Sequence, residues 1–407
     1  MTDTKAMVDE TDDLLLSRPD FWARPDRADA FRVMRDRMPV AFHPEVPAPW
    51  APEGGPGYWA ITRHEDVTAV TRNTQTFSTR GGTQPEEWPE DRVRALGMLH
   101  MDDPEHRIWR SIVGPAFAPR YLDRILDKIR ENANDVIDKL IAEPDVDVVT
   151  NLVNSYPVRV IADMLGMPKE DHDQFVEWTY LAFGTDRVKG NAAHRALIEY
   201  GTALAAKCRA NPGDDVMSRI VTAEVEGRQL TDLEVGGFVS LLIGAGAETT
   251  GSSLATGLWQ LAKNPEQWQL LKNDRTLIPK AVDEFCRYTS AVVAWRRTAT
   301  EGIELNGQQI AEGDKVVMYY EAANFDDRVF EDPQRFDITR DASKQVAFGA
   351  GGPHQCLGEH LARREMRVFL EQLLERVSDI TVTADLRRPA NPRFNMVSEF
   401  RATFTPA

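Results

Sequence analysis

Phe348-Gly349-Ala350-Gly351-Gly352-Pro353-His354-Gln355-Cys356-Leu357-Gly358 runs directly into a strongly patterned helix, Glu359 to about Arg376. Glycines let a backbone turn sharply and come close to a flat surface. A cysteine just ahead of a helix N-terminus has its thiolate stabilised by free N–H groups and the helix dipole. The plainer reading is a Gly-rich turn with a buried structural cysteine. The rest of the sequence decides between the two.

Glu284-Phe285-Cys286-Arg287 sets a carboxylate and a guanidinium at i and i+3 on one helix face. Alone, such a pair is a surface ion pair of little worth. Cys286 reads as a small buried side chain without chemistry. Asp103-Pro104-Glu105-His106-Arg107-Ile108-Trp109-Arg110 puts His106 and Arg110 at i and i+4 near a helix start, which also describes a solvated face. Thr231-Asp232-Leu233-Glu234 is a capping box. The helix it opens is apolar on all sides through Phe238, Val239, Leu241, Leu242 and Ile243, which predicts burial. Ala245-Gly246-Ala247-Glu248-Thr249-Thr250 lies in its middle and Asn264-Pro265 ends it. An acid and two hydroxyls inside a buried helix are costly unless satisfied. Either the threonines bond back to their own helix and Glu248 is ion-paired, or a threonine hydroxyl leaves the helix pattern, opening a groove for small molecules beside a proton-relaying acid.

From Pro104 to about Lys263 the apolar residues recur at helical spacing. Leu122, Ile125, Leu126 and Ile129 fit one helix face; Val158, Ile161, Ala162 and Leu165 fit another, stopped by Gly166 and Pro168. Pro47 to Gly57 reads as a loop and Tyr58 to Thr62 as a strand. Strand-like pieces return between Thr298 and Val317, with a hairpin turn at Asn306-Gly307, and again from Ile380 to Phe404. Arg80 to Leu99 is polar and reads as an adaptable loop. The expectation is a mainly α protein with small β-sheets (α+β), one unit over 1–407. Its sheet-rich parts are about 20–80, 298–320 and 380–405; its helical parts are about 104–290 and 359–376. The chain of 407 residues is 42% hydrophobic, enough for a large core. Its net charge of −16 disfavours nucleic acid or an anionic membrane as a general partner. No basic start leads into an apolar stretch, and no apolar run is long enough for a membrane anchor. Cys208, Cys286 and Cys356 fit neither a zinc ribbon nor a disulfide framework, which points to the cytoplasm.

In this order the motifs resemble the cytochrome P450 superfamily, the loop being similar to its haem-ligand signature. Between Phe348 and Cys356 the loop is one residue longer than the usual pattern. Some bacterial members share that length, notably a group acting on sterol side chains and methyl-branched lipids. The resemblance implies the cytochrome P450 fold, with haem b between a long central helix and the cysteine-loop helix. It makes Cys356 the iron ligand, a thiolate that pushes electron density toward O–O cleavage. It adds Phe348, Gly358 and Gly246 to the haem surroundings. Haem propionates need cationic partners, and the resemblance assigns His106, Arg110, Arg297 and His354, with Arg296 adjacent. It makes Glu284 and Arg287 a buried network under the loop. Pro333-Gln334-Arg335-Phe336 and Asn324-Phe325-Asp326 also match, with Phe325 where Arg is common. By the same match Thr249 orients dioxygen and its hydrogen-bonded water, and Glu248 connects the site to bulk protons.

The implied activity is a monooxygenase: R–H, O₂, two electrons and two protons give R–OH and water. No flavin or nicotinamide domain is read in the chain, so electrons are expected from a separate ferredoxin and ferredoxin reductase. Lys344, Arg363, Arg364 and Arg367 offer positive charge behind Cys356 for that partner, or are simply a solvated face. The resemblance places the cavity among Trp88 to Leu99, Leu242, Ala245, Val292 to Ala294, and Phe394 to Val397. These are mostly apolar, so the substrate is hydrophobic: a lipid, sterol or terpenoid. A peroxide-driven haem-thiolate peroxygenase is the rival enzyme, disfavoured by the Glu248/Thr249 pair. A haem-based sensor or electron carrier has little need of that pair. A helical scaffold without cofactor requires four motifs to coincide. Purified protein should show a Soret band; its absence even after haem supplementation would restore the scaffold.

Overall fold

The 3.6-residue apolar spacing is realised along most of the chain. The computed structural model describes all residues except 1–6, 10–11, 50, 91–92, 94–96 and 184–186. The helices that matter here are α1 (Pro19–Ala23), α2 (Arg27–Arg37), α3 (His64–Arg72), α4 (Glu105–Val113), α5 (Pro119–Arg124), α6 (Leu126–Ala142), α7 (Tyr156–Met164), α8 (His172–Phe183), α9 (Arg187–Ala210), α10 (Val216–Thr222), α11 (Asp232–Lys263), α12 (Pro265–Asn273), α13 (Ile278–Thr289), α14 (Tyr320–Asn324) and α15 (Glu359–Arg376). The architecture is mainly α with small sheets, as the spacing predicts. Three details differ from expectation. The segment 20–80 carries α1, α2 and α3 as well as strands. The face drawn through Leu122 and Ile129 spans two helices, because Ile125 turns out of helical geometry between α5 and α6. The loop expected to run to Gly57 yields at Gly55 to a strand.

That strand, β2 (Gly55–Ile61), pairs antiparallel with β1 (Val40–Glu45). On its other side it meets a later strand, Lys315–Tyr319, in parallel. That strand pairs in turn with Ala294–Ala299, and the short Phe77–Ser78 closes the five-stranded sheet. The hairpin at Asn306-Gly307 forms between Ile303–Leu305 and Gln308–Ile310, both turn residues at positive φ as a tight hairpin requires. The tail strands Val377–Arg387 and Glu399–Pro406 pair antiparallel and pick up Val146–Asp147 at the edge. One large apolar cluster runs through the helices, and two smaller ones flank the five-stranded sheet.

Helix α11 is the spine of the larger cluster. Its capping box forms: Thr231 N donates to Glu234 at 2.7 Å and Glu234 N to the Thr231 hydroxyl at 3.3 Å. Burial is not all-round, however. Leu233, Gly244 and Ala245 are exposed, whereas nearly every residue from Thr250 to Leu261 is buried. Two glycines set how closely α11 is approached there. A Cβ on Gly251 would stand 2.5 Å from the Val153 carbonyl oxygen, and one on Gly257 2.1 Å from the Phe285 ring on α13. Among the described residues no helix is long and apolar enough to cross a membrane.

Gly257→Ala should therefore overpack the α11–α13 contact and destabilise the protein by about 1–3 kcal/mol. The readout is a lower urea midpoint at unchanged slope. An unchanged midpoint would mean that the Phe285 ring moves aside freely.

Candidate active site

The cysteine loop is fixed by its own backbone before any side chain helps. Cys356 N donates to the Phe348 carbonyl at 2.8 Å, and Gln355 N to that of Gly352 at 3.1 Å. Gly349, Gly351 and Gly352 all have positive φ, which L side chains resist. Gln355 accepts from Gly351 N at 2.9 Å and reaches Glu359 in the first turn of α15. Arg72 on α3 donates to the Ala350 carbonyl at 2.9 Å, and Arg110 on α4 to that of Gln355 at 2.6 Å. Cys356 is exposed and unbonded to another cysteine. The protein around it pushes the thiol pKa up, while the Gly358 N–H, Arg110 and Arg363 pull it back toward the thiolate. Gly358 stands with its α-carbon close to the sulfur: a Cβ there would lie 4.0 Å from Sγ. Phe348 is half-buried beneath Arg363, whose guanidinium is 4.5 Å from the ring centre and bonded to Asp283 at 2.8 Å.

Under the loop lies the Glu284/Arg287 pair. It is fully buried, with two hydrogen bonds of 2.7 and 2.8 Å. The third arm of Arg287 donates to the Asn324 carbonyl at 2.8 Å. Asn324 in turn accepts from Val346 N, two residues before Phe348, at 2.8 Å. Phe325 takes the place of a polar contact: its ring lies 5.1 Å from the Arg287 guanidinium, flanked by Tyr288 and Phe330.

Beside the cysteine four nitrogen-rich side chains converge. The rings of His106 and His354 stack at 3.9 Å. Burial, then the neighbouring Arg297, His106 and Arg110, pushes the His354 pKa down to about 2. His106 is also pushed down, by burial and by Arg110. Arg297 is buried, and its Nε and one Nη have no hydrogen-bond partner among the described residues. A buried guanidinium left unpaired beside two histidines and a second arginine is costly unless anions join it.

The profile of the family described as Cytochrome P450 matches residues 183–384. The chain is 38% identical over 390 residues to the methyl-branched lipid omega-hydroxylase of Mycobacterium tuberculosis, covering 92% of this chain and 91% of that one. It is 33% identical to the steroid C26-monooxygenase of Mycolicibacterium smegmatis, covering 89% and 87%. A Mycobacterium marinum cytochrome P450 solved with pseudoionone superposes with a TM-score of 0.89 at 34% identity, covering 98% of this chain and all of that one. The chain belongs to the cytochrome P450 family. It is a haem-thiolate monooxygenase whose cofactor is haem b.

The residues present fit that cofactor. The unpaired nitrogens of Arg297, with Arg110, His106 and His354, are what two propionates would match. Gly246 has a different local reason for being glycine. Its Cβ would stand 2.8 Å from Ile161 on α7, so its smallness serves helix packing. Thr249 donates to the Ala245 carbonyl at 2.7 Å, and α11 stays regular through the hexad. The hydroxyl therefore bonds back to its own helix instead of leaving its pattern. Glu248 makes no ion pair among the described residues, and burial raises its pKa. Each stands one turn beyond an exposed residue, Gly244 or Ala245, so Glu248 and Thr249 lie beside the exposed stretch of α11.

The segments expected around the substrate come together. Val292 bridges Phe394, and Val397 N donates to Ser252 on α11 at 3.1 Å. Arg393 lies 5.7 Å from the Trp88 and Phe394 ring centres. Part of Trp88 to Leu99 falls outside the described residues. The described part is tied down by His100, whose ring bonds the Val93 carbonyl at 2.7 Å and the Thr83 hydroxyl at 2.9 Å. Arg72 and His100 were not singled out by their sequence context, since their partners lie in other segments. Arg297→Leu should loosen the cofactor: haem transfer to excess apomyoglobin should speed up at least several-fold. An unchanged rate would remove Arg297 from the propionate set.

Proposed function

We propose that this cytochrome P450 hydroxylates a lipid, sterol or terpenoid, as one functional unit over 1–407, with electrons from a separate ferredoxin and ferredoxin reductase. The observation that carries it is the Glu248/Thr249 pair beside exposed Gly244 and Ala245 on α11, in the same fold as the cysteine loop. Haem iron held by the Cys356 thiolate, with Phe348 and Gly358 beside it, supplies the activation of dioxygen. The chain's own groups supply proton handling. With its hydrogen committed to Ala245, Thr249 Oγ1 is left to accept a hydrogen bond from water. Glu248, its pKa raised by burial, holds its proton to higher pH than an ordinary carboxylate and can pass it on. Arg297, Arg110, His106 and His354 anchor the cofactor's carboxylates. A protein working from peroxide alone would not need this proton path. The relatives, named for methyl-branched lipids and steroids, support a hydrophobic substrate. Three unpaired cysteines suit a reducing cytoplasm.

The cations behind Cys356 are less free than a charge count implies. Arg363 is held by Asp283 and by the Phe348 ring, and Arg367 is half-buried. Arg364 meets exposed Asp123 at 2.8 Å, a surface pair weak enough to exchange for a partner's acid. Lys344 is exposed and makes no ion pair among the described residues. Arg364 and Lys344 are thus the cations offered to an acidic ferredoxin.

Thr249→Ala should raise reductant consumed per product several-fold at unchanged substrate affinity, with Thr249→Ser close to wild type. Unchanged coupling in the Ala variant would contradict the oxygen-plus-reductant reading. Lys344→Glu with Arg364→Glu should weaken ferredoxin binding at low salt, the difference fading as salt is added. Equal affinity at low salt would move the docking face elsewhere.

A further inference from the structure

Met396 sits in the tail turn between two buried attachments. On one side Asn395 donates to the Thr289 and Ser290 carbonyls at 3.0 and 3.3 Å and accepts from Arg27 on α2 at 2.8 Å. Its own N–H reaches the Ala291 carbonyl at 2.9 Å. On the other side Ser252, fully buried on α11, accepts from Val397 N at 3.1 Å. The same hydroxyl donates to the Met396 sulfur at 3.7 Å. A thioether is a weak acceptor, so this bond contributes little energy. It does select among the rotamers of a side chain with three rotatable bonds.

The place of Ser252 on its helix gives that choice a consequence. Ala245, Thr249 and Ser252 stand at i, i+4 and i+7 on a single face of α11. Along that face Ala245 is exposed, Thr249 is half-buried and Ser252 is fully buried. The change comes where Met396 and Val397 meet the helix. Thr249 and Ser252 are about 4.5 Å apart along the axis, less than the reach of a methionine side chain. Val397 is buried, whereas Met396 is only half-buried. Part of its surface is left uncovered at the border of the stretch that carries Thr249. The thioether and its methyl offer apolar, polarizable contact there.

We propose that Met396 is the apolar stop against which the substrate rests beyond Thr249, and that Ser252 is its positioning residue. With the stop held in one rotamer, the depth to which a substrate enters along α11 is set. The carbon presented for oxidation is set with it. The part of the substrate beside Met396 is apolar, because a thioether cannot repay the desolvation of a charge. This rests on the hydrophobic-substrate monooxygenase reading above and deepens it.

The test compares haem-loaded wild type, Ser252→Ala, Met396→Leu and the double variant. Each is titrated with N-dodecylimidazole and N-methylimidazole, read by the Soret shift. Both ligands bind iron through the ring nitrogen, and only the first carries a chain that can reach the stop. Met396→Leu keeps the Ser252–Val397 bond and nearly conserves volume, so it reports even if Ser252→Ala folds poorly. Each single variant should bind N-dodecylimidazole at least threefold more weakly, with N-methylimidazole unchanged. The double variant should be no weaker than the singles. An equal loss for both ligands would mark a structural role and overturn the proposal. So would losses that add in the double variant, because Ser252 would then act other than through Met396. With an iso-branched heptadecanoic acid, the ratio of terminal to adjacent-carbon hydroxylation should shift at least threefold in either single variant, and an unchanged ratio would also overturn it. No oxidised acid from wild type, with the N-dodecylimidazole differences intact, would remove the lipid reading and keep the stop. Normal oxidation with equal N-dodecylimidazole affinity in all four proteins would do the reverse.

Discussion

Glu284 and Arg287 are an ion pair with no solvent contact at all, and the cysteine loop is tied to it through Asn324 and Val346. Two charges taken fully out of water gain little net stability from each other. Their geometry explains why the arrangement holds. The guanidinium spends two arms on the carboxylate and the third on Asn324, and Glu284 also accepts from Asp337 N at 3.1 Å. Arg340 approaches the same carboxylate at 3.4 Å. One pair thereby joins α13, α14, the segment around Asp337 and, through Asn324 and Val346, the start of the cysteine loop. Removing either partner would leave a lone buried charge, a loss of about 3–5 kcal/mol. It would also release the backbone that aims Cys356.

Much of this was legible because it is local. The cysteine ahead of α15, the i/i+3 acid and base on α13, and the i/i+4 His106 and Arg110 on α4 are spacing patterns that helix geometry turns into shared faces. The α11 capping box is read from four residues and forms as read. What was hidden depends on contacts between distant segments. Arg72 meets Ala350 across 278 positions, and nothing around Arg72 signals it. His100 ties Thr83 to Val93 through its ring, and nothing around it in the sequence signals this. Burial along α11 was overestimated because apolarity on every side does not say which stretch faces a cavity. Thr249 offered two chemistries on paper, and only geometry shows its hydrogen committed to Ala245.

Phe325 shows how a departure from the family pattern is absorbed. A guanidinium commonly stands at this position. Here an aromatic face lies against Arg287, and two further rings complete the cover. A planar cation tolerates such a surface well because it is weakly hydrated and attracted to the ring face. The network loses a charge and keeps its shape.

The two tight glycines on α11 have a wider consequence. With Val153 and Phe285 this close, α11 is tightly packed just C-terminal to the proposed Glu248/Thr249 site. On the proposed cavity assignment, changes in what the enzyme accepts are most easily made around Phe394 to Val397, away from this packed contact. On that assignment the tightly packed proposed chemical site and the proposed recognition segments lie in different parts of the chain. A lineage or a mutant library seeking new substrates would find its productive changes in the second.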